Sequence, residues 1–251
     1  MINLANILLY ASAEQPVETR SWWDDPTVIY FAIFIGIAIA SWAVSYSLKR
    51  KFAQYSEEPI RYTGKEVAEK MLHEHGIDDV KVTCIAGQLT DHYNPLTKTV
   101  NLSEDVYNKA TVAAAAVAAH ECGHAVQHQQ AYAPLKMRSA LVPVVSFSSS
   151  IVSWVILAGL LLVNQLGTTL LLVGICLYGA ITLFTFITLP VEINASQRAV
   201  NWLEESGVVD RDKKDMAVSA LRSAAYTYVI AALSALATLL YYIMIFMRRR
   251  E

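Results

Sequence analysis

The sequence predicts an α+β domain fused to a four-helix transmembrane bundle. Three observations carry that expectation. Charged residues make up 17% of the 251-residue chain and hydrophobic residues 55%, whereas a soluble domain is about a quarter charged. The shortfall is concentrated, because residues 26–48, 139–191 and 223–247 contain no Asp, Glu, Lys, Arg or His. The remaining residues have the charge density and the mixed helix and strand signals of a water-exposed unit.

The first and third charge-free stretches are each long enough to cross a hydrocarbon core about 30 Å thick once. The middle stretch is long enough for two crossings, with Asn164-Gln165-Leu166-Gly167 as the turn between them. The expected membrane helices are 28–48, 141–163, 168–189 and 226–247. Trp22, Trp23 and Tyr30 flank the first and Tyr226 and Tyr228 the last, where headgroup-zone aromatics stand. Residues 1–25 are an N-terminal extension, read as an interfacial segment because no basic region opens it as a signal peptide would. Lys49-Arg50-Lys51, Lys136, Arg138 and the basic residues of 198–222 place 49–138 and 190–222 in the cytoplasm and the N-terminus outside. The basic tail at 248–251, Arg248-Arg249-Arg250-Glu251, runs against that bias, since four crossings leave it outside.

Segments 49–138 and 192–222 flank the membrane hairpin 139–191 and together make one domain of about 120 residues. Thr63-Gly64-Lys65-Glu66 is a capping box that opens a helix with Val67, Ala68, Met71 and Leu72 on one face and Gly76 as its stop. Residues 80–85 alternate as a strand does, 90–97 form a turn around Asp91, Asn94 and Pro95, and 99–102 form the returning strand. Residues 111–129 are an alanine-rich helix ended before Pro134, and a further helix begins after Pro190 and stops at Gly207.

Several function classes fall away. A net charge of −2 without a basic patch excludes a nucleic-acid binder. Cys84, Cys122 and Cys176 are odd in number, far apart and free of CxxC spacing, which excludes a disulfide scaffold and a thiolate metal cluster. Membrane stretches without ionisable residues argue against a transporter.

The chemistry lies in His120-Glu121-Cys122-Gly123-His124. The two histidines stand at i and i+4, so both imidazoles leave one helix face and converge on one Zn²⁺. Glu121 is turned about 100° away, the place of a general base acting on a metal-activated water. The preceding strand 99–102 suits an edge strand that binds substrate backbone by β-addition. A third ligand is needed, and the candidates are His128, Glu192, His92, His73 and His75. His128 lies roughly 12 Å along the axis from His120, too far for three imidazoles on one straight helix to meet, and reads as a pocket residue. Glu192 is the first charge after the longest uncharged stretch, and the hairpin returns it to the side of His120. On spacing alone it reads equally as a ligand or as a solvated carboxylate at a helix N-terminus. His92 or Tyr93 could donate to an oxyanion or simply form an exposed turn. His73 and His75, at a helix end without metal spacing, read as surface residues.

Five stretches carry a resemblance: Gly87-Gln88-Leu89-Thr90-Asp91-His92-Tyr93-Asn94-Pro95, Val100-Asn101-Leu102-Ser103, residues 113–128, Ala133-Pro134-Leu135-Lys136 and Leu189-Pro190-Val191-Glu192-Ile193-Asn194-Ala195-Ser196. In these the chain resembles the YugP-like neutral zinc metallopeptidases, bacterial membrane proteins, and more distantly the HtpX-type membrane proteases. The resemblance runs from the first membrane helix onward. It implies a zincin-like catalytic domain of gluzincin type, with one Zn²⁺ per chain held by His120, His124 and Glu192 and with Glu121 as base. It also implies the bacterial inner membrane and peptide or membrane-protein substrates. In HtpX-type enzymes the third ligand is a glutamate with Ala at +3 and Asp at +4. Glu192 and Ala195 match, while Ser196 replaces the Asp and offers a weaker hydrogen bond to a ligand. Arg198 either serves the oxyanion or binds headgroups. A second class is a non-catalytic membrane adaptor or chaperone with a structural zinc, which would close its fourth metal position with protein.

Overall fold

The computed structural model describes residues 26–162 and 164–250. The expected interfacial extension 1–25, with Trp22 and Trp23, lies outside the described residues, as does Glu251. The elements in chain order are α1 (Pro26–Tyr55), α2 (Gly64–Glu74), β1 (Lys81–Ile85), β2 (His92–Asn94), β3 (Thr99–Ser103), α3 (Glu104–Asn108), α4 (Val112–Gln129), α5 (Ala133–Leu161), α6 (Gln165–Glu205) and α7 (Lys214–Arg248). The described chain is thus mostly helical with one small sheet.

Four helices, α1, α5, α6 and α7, are long and apolar enough to cross a membrane. They pack in the order α5, α6, α7, α1, as a row rather than a closed bundle. Asn164 caps α6 by accepting from the Gly167 N–H at 3.1 Å, so the expected turn is a helix cap. Gly159 lets α5 approach α6 closely, because a Cβ there would lie 2.7 Å from the Leu171 nitrogen.

The long helices overrun the expected membrane boundaries. The helix expected to start after Pro190 is instead the continuation of α6, a single 41-residue helix that carries Pro190 inside it. Proline removes one backbone bond and crowds the preceding turn, a cost of about 3 kcal/mol in an isolated helix. Here both flanks are clamped, with Leu171 and Gly174 buried before it and Val191, Ala195 and Ala199 buried after it. Packing on both sides outweighs the break. α5 likewise starts at Ala133, with Pro134 in its first turn, so Lys136 and Arg138 belong to a helix long and apolar enough to cross a membrane.

Outside the row, α4 is the hub. Its alanines are almost all buried and bring α2, β3, α6 and α7 against it, through Met71, Val100, Trp202 and Leu221. Thr111 caps its start, and the expected capping box at Thr63 and Glu66 is present at the start of α2.

The sheet order is β1-β3-β2. β3 runs parallel to β1, with Lys81 opposite Thr99, and antiparallel to β2, with His92 opposite Asn101. Strand 99–102 is therefore the central strand and not the edge beside the motif. The expected turn contains the edge strand itself. Asn94 Oδ1 accepts from the N–H groups of Leu96 and Thr97, which tightens the chain into a hairpin and frees His92–Asn94 to pair. Three residues are too few to show an alternating pattern in sequence.

Candidate metal centre

α4 presents His120 and His124 one turn apart, with their rings edge to face and centroids 4.9 Å apart. α6 crosses them and delivers Glu192, which is 3% exposed. Its Oε2 lies 3.3 Å from His120 Nε2 and 3.5 Å from His124 Nε2. The three candidate ligand atoms all lie within 4.8 Å of one another. Two imidazole nitrogens and one carboxylate oxygen, converging beside an open cleft, make a donor set that fits Zn²⁺. A buried carboxylate also needs compensating charge, and Arg138 from α5 supplies it at 3.6 Å from Oε1.

Both histidines are held from behind. Ser196 Oγ lies 3.2 Å from His120 Nδ1, the weaker bond expected at that position. Behind His124 stands Gln127, which is fully buried. Its Nε2 donates to the Val191 carbonyl at 2.8 Å and to Asn194 Oδ1 at 2.9 Å. Its Oε1 therefore accepts, and His124 donates Nδ1–H to it at 3.0 Å. That leaves the Nε2 lone pair of His124 facing Glu192. Burial lowers the His124 pKa, but the bond that Nε2–H of the protonated ring gives to Glu192 and the charges of Glu121 and Glu192 outweigh it and raise the value above the ordinary one.

Glu121 points out of this cluster toward the sheet. Its Oε2 accepts from the Tyr93 N–H on edge strand β2 at 3.0 Å. The Tyr93 hydroxyl pairs with His128 Nδ1 at 2.8 Å. These groups line a cleft of about 650 Å³ walled also by Leu96, Tyr132, Arg138 and Tyr228.

The other expected residues fall elsewhere. His92 lines the cleft rim, but both ring nitrogens are engaged, Nδ1 with the Thr90 carbonyl at 2.7 Å and Nε2 with Asn101 Nδ2 at 3.1 Å. Arg198 does not line the cleft; its Nε donates to Asn194 Oδ1 at 2.8 Å and ends the chain that begins at His124. His75 bonds the Met71 carbonyl and His73 faces Asp78, both away from the cluster. Cys122 is buried against the Ala68 carbonyl, and burial pushes its thiol pKa up, away from thiolate ligation. Sequence reasoning did not assign three contributors to the site: Gln127, and Arg138 and Tyr228, which it read as membrane-flanking residues. Asp91, expected in the turn, does more than turn the chain; its carboxylate accepts from the Ser103 N–H at 2.7 Å and anchors the start of β2.

A largely buried two-histidine, one-glutamate cluster that could hold a metal, with its glutamate on a helix long and apolar enough to cross a membrane, stands beside the cleft. The chain belongs to the family described as "Putative neutral zinc metallopeptidase", which it matches over residues 30–247. It is 39% identical over 225 residues to "Putative membrane protease YugP" of Bacillus subtilis (strain 168), covering 88% of this chain and 97% of that protein. No solved structure matches the chain.

Proposed function

We propose that the chain is an integral membrane zinc metalloendopeptidase with a zincin-like catalytic unit made of 49–138 and 192–222. The observation that carries this reading is the placement of Glu121, next to the ligand cluster yet bonded to an edge-strand N–H. His120, His124 and Glu192 hold one Zn²⁺. When bound, zinc supplies a Lewis acid that makes water acidic near neutral pH and polarises a carbonyl.

The chain's own groups do the rest. Glu121 takes a proton from water and passes it to the leaving amine. Its bond to the Tyr93 N–H keeps the carboxylate aimed into the cleft. Edge strand β2 aligns the substrate backbone by β-addition. The Tyr93 hydroxyl, poised by His128, donates to the developing oxyanion. His92 lacks a spare donor for that task, and Arg198 acts through Asn194 and Gln127 on His124. Substrates are peptides or membrane proteins, and the basic flanks of the membrane helices favour a site facing the cytoplasm of a bacterial cell.

The test is Glu121→Gln, assayed with zinc content measured in the same sample. Cleavage is expected to fall about 10²–10⁴-fold with zinc retained. Unchanged cleavage would remove Glu121 as the base and sink the reading, whereas a zinc-loaded native protein that cleaves nothing would leave the structural-zinc adaptor. The open cleft already weighs against that adaptor, because a structural site closes its fourth position with protein.

A further inference from the structure

The two oxygens of Glu192 have different neighbours. Oε2 is the one that faces the histidines, 3.3 Å from His120 Nε2 and 3.5 Å from His124 Nε2. Oε1 is the one that faces Arg138 Nη1, at 3.6 Å. The carboxylate is thus shared between the candidate ligand cluster and a guanidinium that comes from another helix.

The fold fixes both partners of that pair. On α6, Val191 and Ala195 are fully buried beside Glu192, which leaves its backbone little room to turn. Arg138 stands in the second turn of α5 and lines the cleft with Leu135, Ser139 and Val142 of the same helix. Among the described residues its side chain makes no hydrogen bond and no other ion pair, so nothing draws it away from Glu192. Lys136, the other Lys or Arg lining the cleft, forms no ion pair with Glu192.

Charge compensation explains this guanidinium only while the site is empty. A buried carboxylate needs a positive partner, but a divalent ion on Oε2 is itself that partner. Once the ion is bound, Arg138 is a second cation on the same carboxylate, and the two repel in a site of low dielectric. A residue that costs metal affinity in this way has to return something else.

The choice of donor atoms supplies it. A carboxylate can give a metal one oxygen or both. Two imidazoles and both oxygens would fill four positions, whereas one oxygen leaves the fourth position open. A guanidinium is always charged and carries several N–H donors, so it holds Oε1 at any working pH.

We propose that Arg138 is a positioning residue that keeps Glu192 a one-oxygen ligand and so keeps the fourth metal position free. The inference rests on His120, His124 and Glu192 holding the metal, and its effect on cleavage rests on the peptidase reading.

The experiment uses the full chain in detergent, loaded with Co²⁺ for visible spectra and with Zn²⁺ for X-ray absorption. In the native protein, imidazole added at about pH 8, where it is neutral, is expected to shift the cobalt bands. Bands that imidazole leaves unmoved mean a site filled by protein, and they overturn the proposal. Arg138→Gln is expected to retain its metal, with zinc affinity no weaker than native because one repelling cation is gone. It should gain one oxygen donor in the X-ray absorption, lose cobalt band intensity and need at least about tenfold more imidazole, the lower range for a ligand's outer partner. Arg138→Lys keeps a charge on Oε1 and should recover most of the native spectrum. A native spectrum in Arg138→Gln overturns the proposal. So does loss of metal from Arg138→Gln that still unfolds cooperatively, which would make Arg138 a charge compensator alone. If the native protein takes up neither metal, the ligand set falls and the proposal with it. If the spectra behave as expected but the native protein cuts no peptide, the peptidase reading falls and the positioning role stands.

Discussion

Gly123 of α4 lies so close to the backbone of α6 that a Cβ added to it would stand 2.6 Å from the Ala195 carbonyl oxygen. Gly123 sits between His120 and His124, and Ala195 between Glu192 and Ser196. This close crossing sets the distance from each histidine to the carboxylate. Gly123→Ala should force the helices apart, costing about 1–3 kcal/mol as overpacking does. It should also weaken zinc binding, because the donors no longer converge. Thermal unfolding in detergent, with and without zinc, checks both. A variant as stable and as zinc-competent as the parent would show that the crossing does not set the site.

Gln127 holds His124 to α6 through three hydrogen bonds. Gln127→Met keeps the volume and removes them. The Val191 carbonyl and His124 Nδ1 then lose a buried partner, and the imidazole loses its fixed tautomer. Zinc affinity is expected to fall about 10–100-fold, and chelator competition measures it. Ser196→Ala removes one weaker bond and should cost less.

What could be read in the sequence follows from what helical spacing encodes. His120 and His124 share a face by spacing alone. Glu192 stands out because no charge precedes it for the length of a membrane hairpin. Gln127 carries no such mark, since a glutamine three residues after a histidine looks solvated until the Val191 carbonyl is set against it. Pro190 misleads in the other direction, because its local cost is visible and the packing of Leu171 and Ala199 that offsets it is not. Residues 92–94 are misread for a third reason. Their strand character comes from pairing with β3 and from the Asp91–Ser103 anchor, both of which are contacts distant in sequence.

Zinc occupancy should depend on pH through His124. Its pKa in the metal-free protein is raised, burial being overcome by Glu192 and Glu121. Protonated His124 therefore contributes stability to the metal-free protein that is full below the unfolded value near 6.5 and is lost as pH rises through the folded value. Zinc needs the neutral ring, so its binding releases that proton below the folded value. Affinity should fall about tenfold for each pH unit of acidification below it. Zinc titrations between pH 5 and 8 test this, and a flat profile would remove His124 from the ligand set.

Arg249 gives the basic tail a structural task. α7 runs unbroken to Arg248, which carries the tail to the end of the row opposite the sheet. There the Arg249 guanidinium donates to the carbonyls of Gly159 at 2.6 Å, Leu160 at 2.7 Å and Leu162 at 3.3 Å. These carbonyls stand at and just past the end of α5, where a helix's last carbonyls lack intrahelical donors and a cation is favoured. Arg249 thus fastens α7 to α5 at the far end, where its positive charge serves a cap. Arg249→Ala should lower stability by about 1.5–3 kcal/mol, the range for hydrogen bonds to a charged group. Arg249→Lys, with no fork to bridge three carbonyls, should recover only part. Unfolding in detergent measures the loss, and native zinc content in both variants would show that the effect stays at the far end. If Arg249→Ala unfolds like the parent, the tail serves no cap.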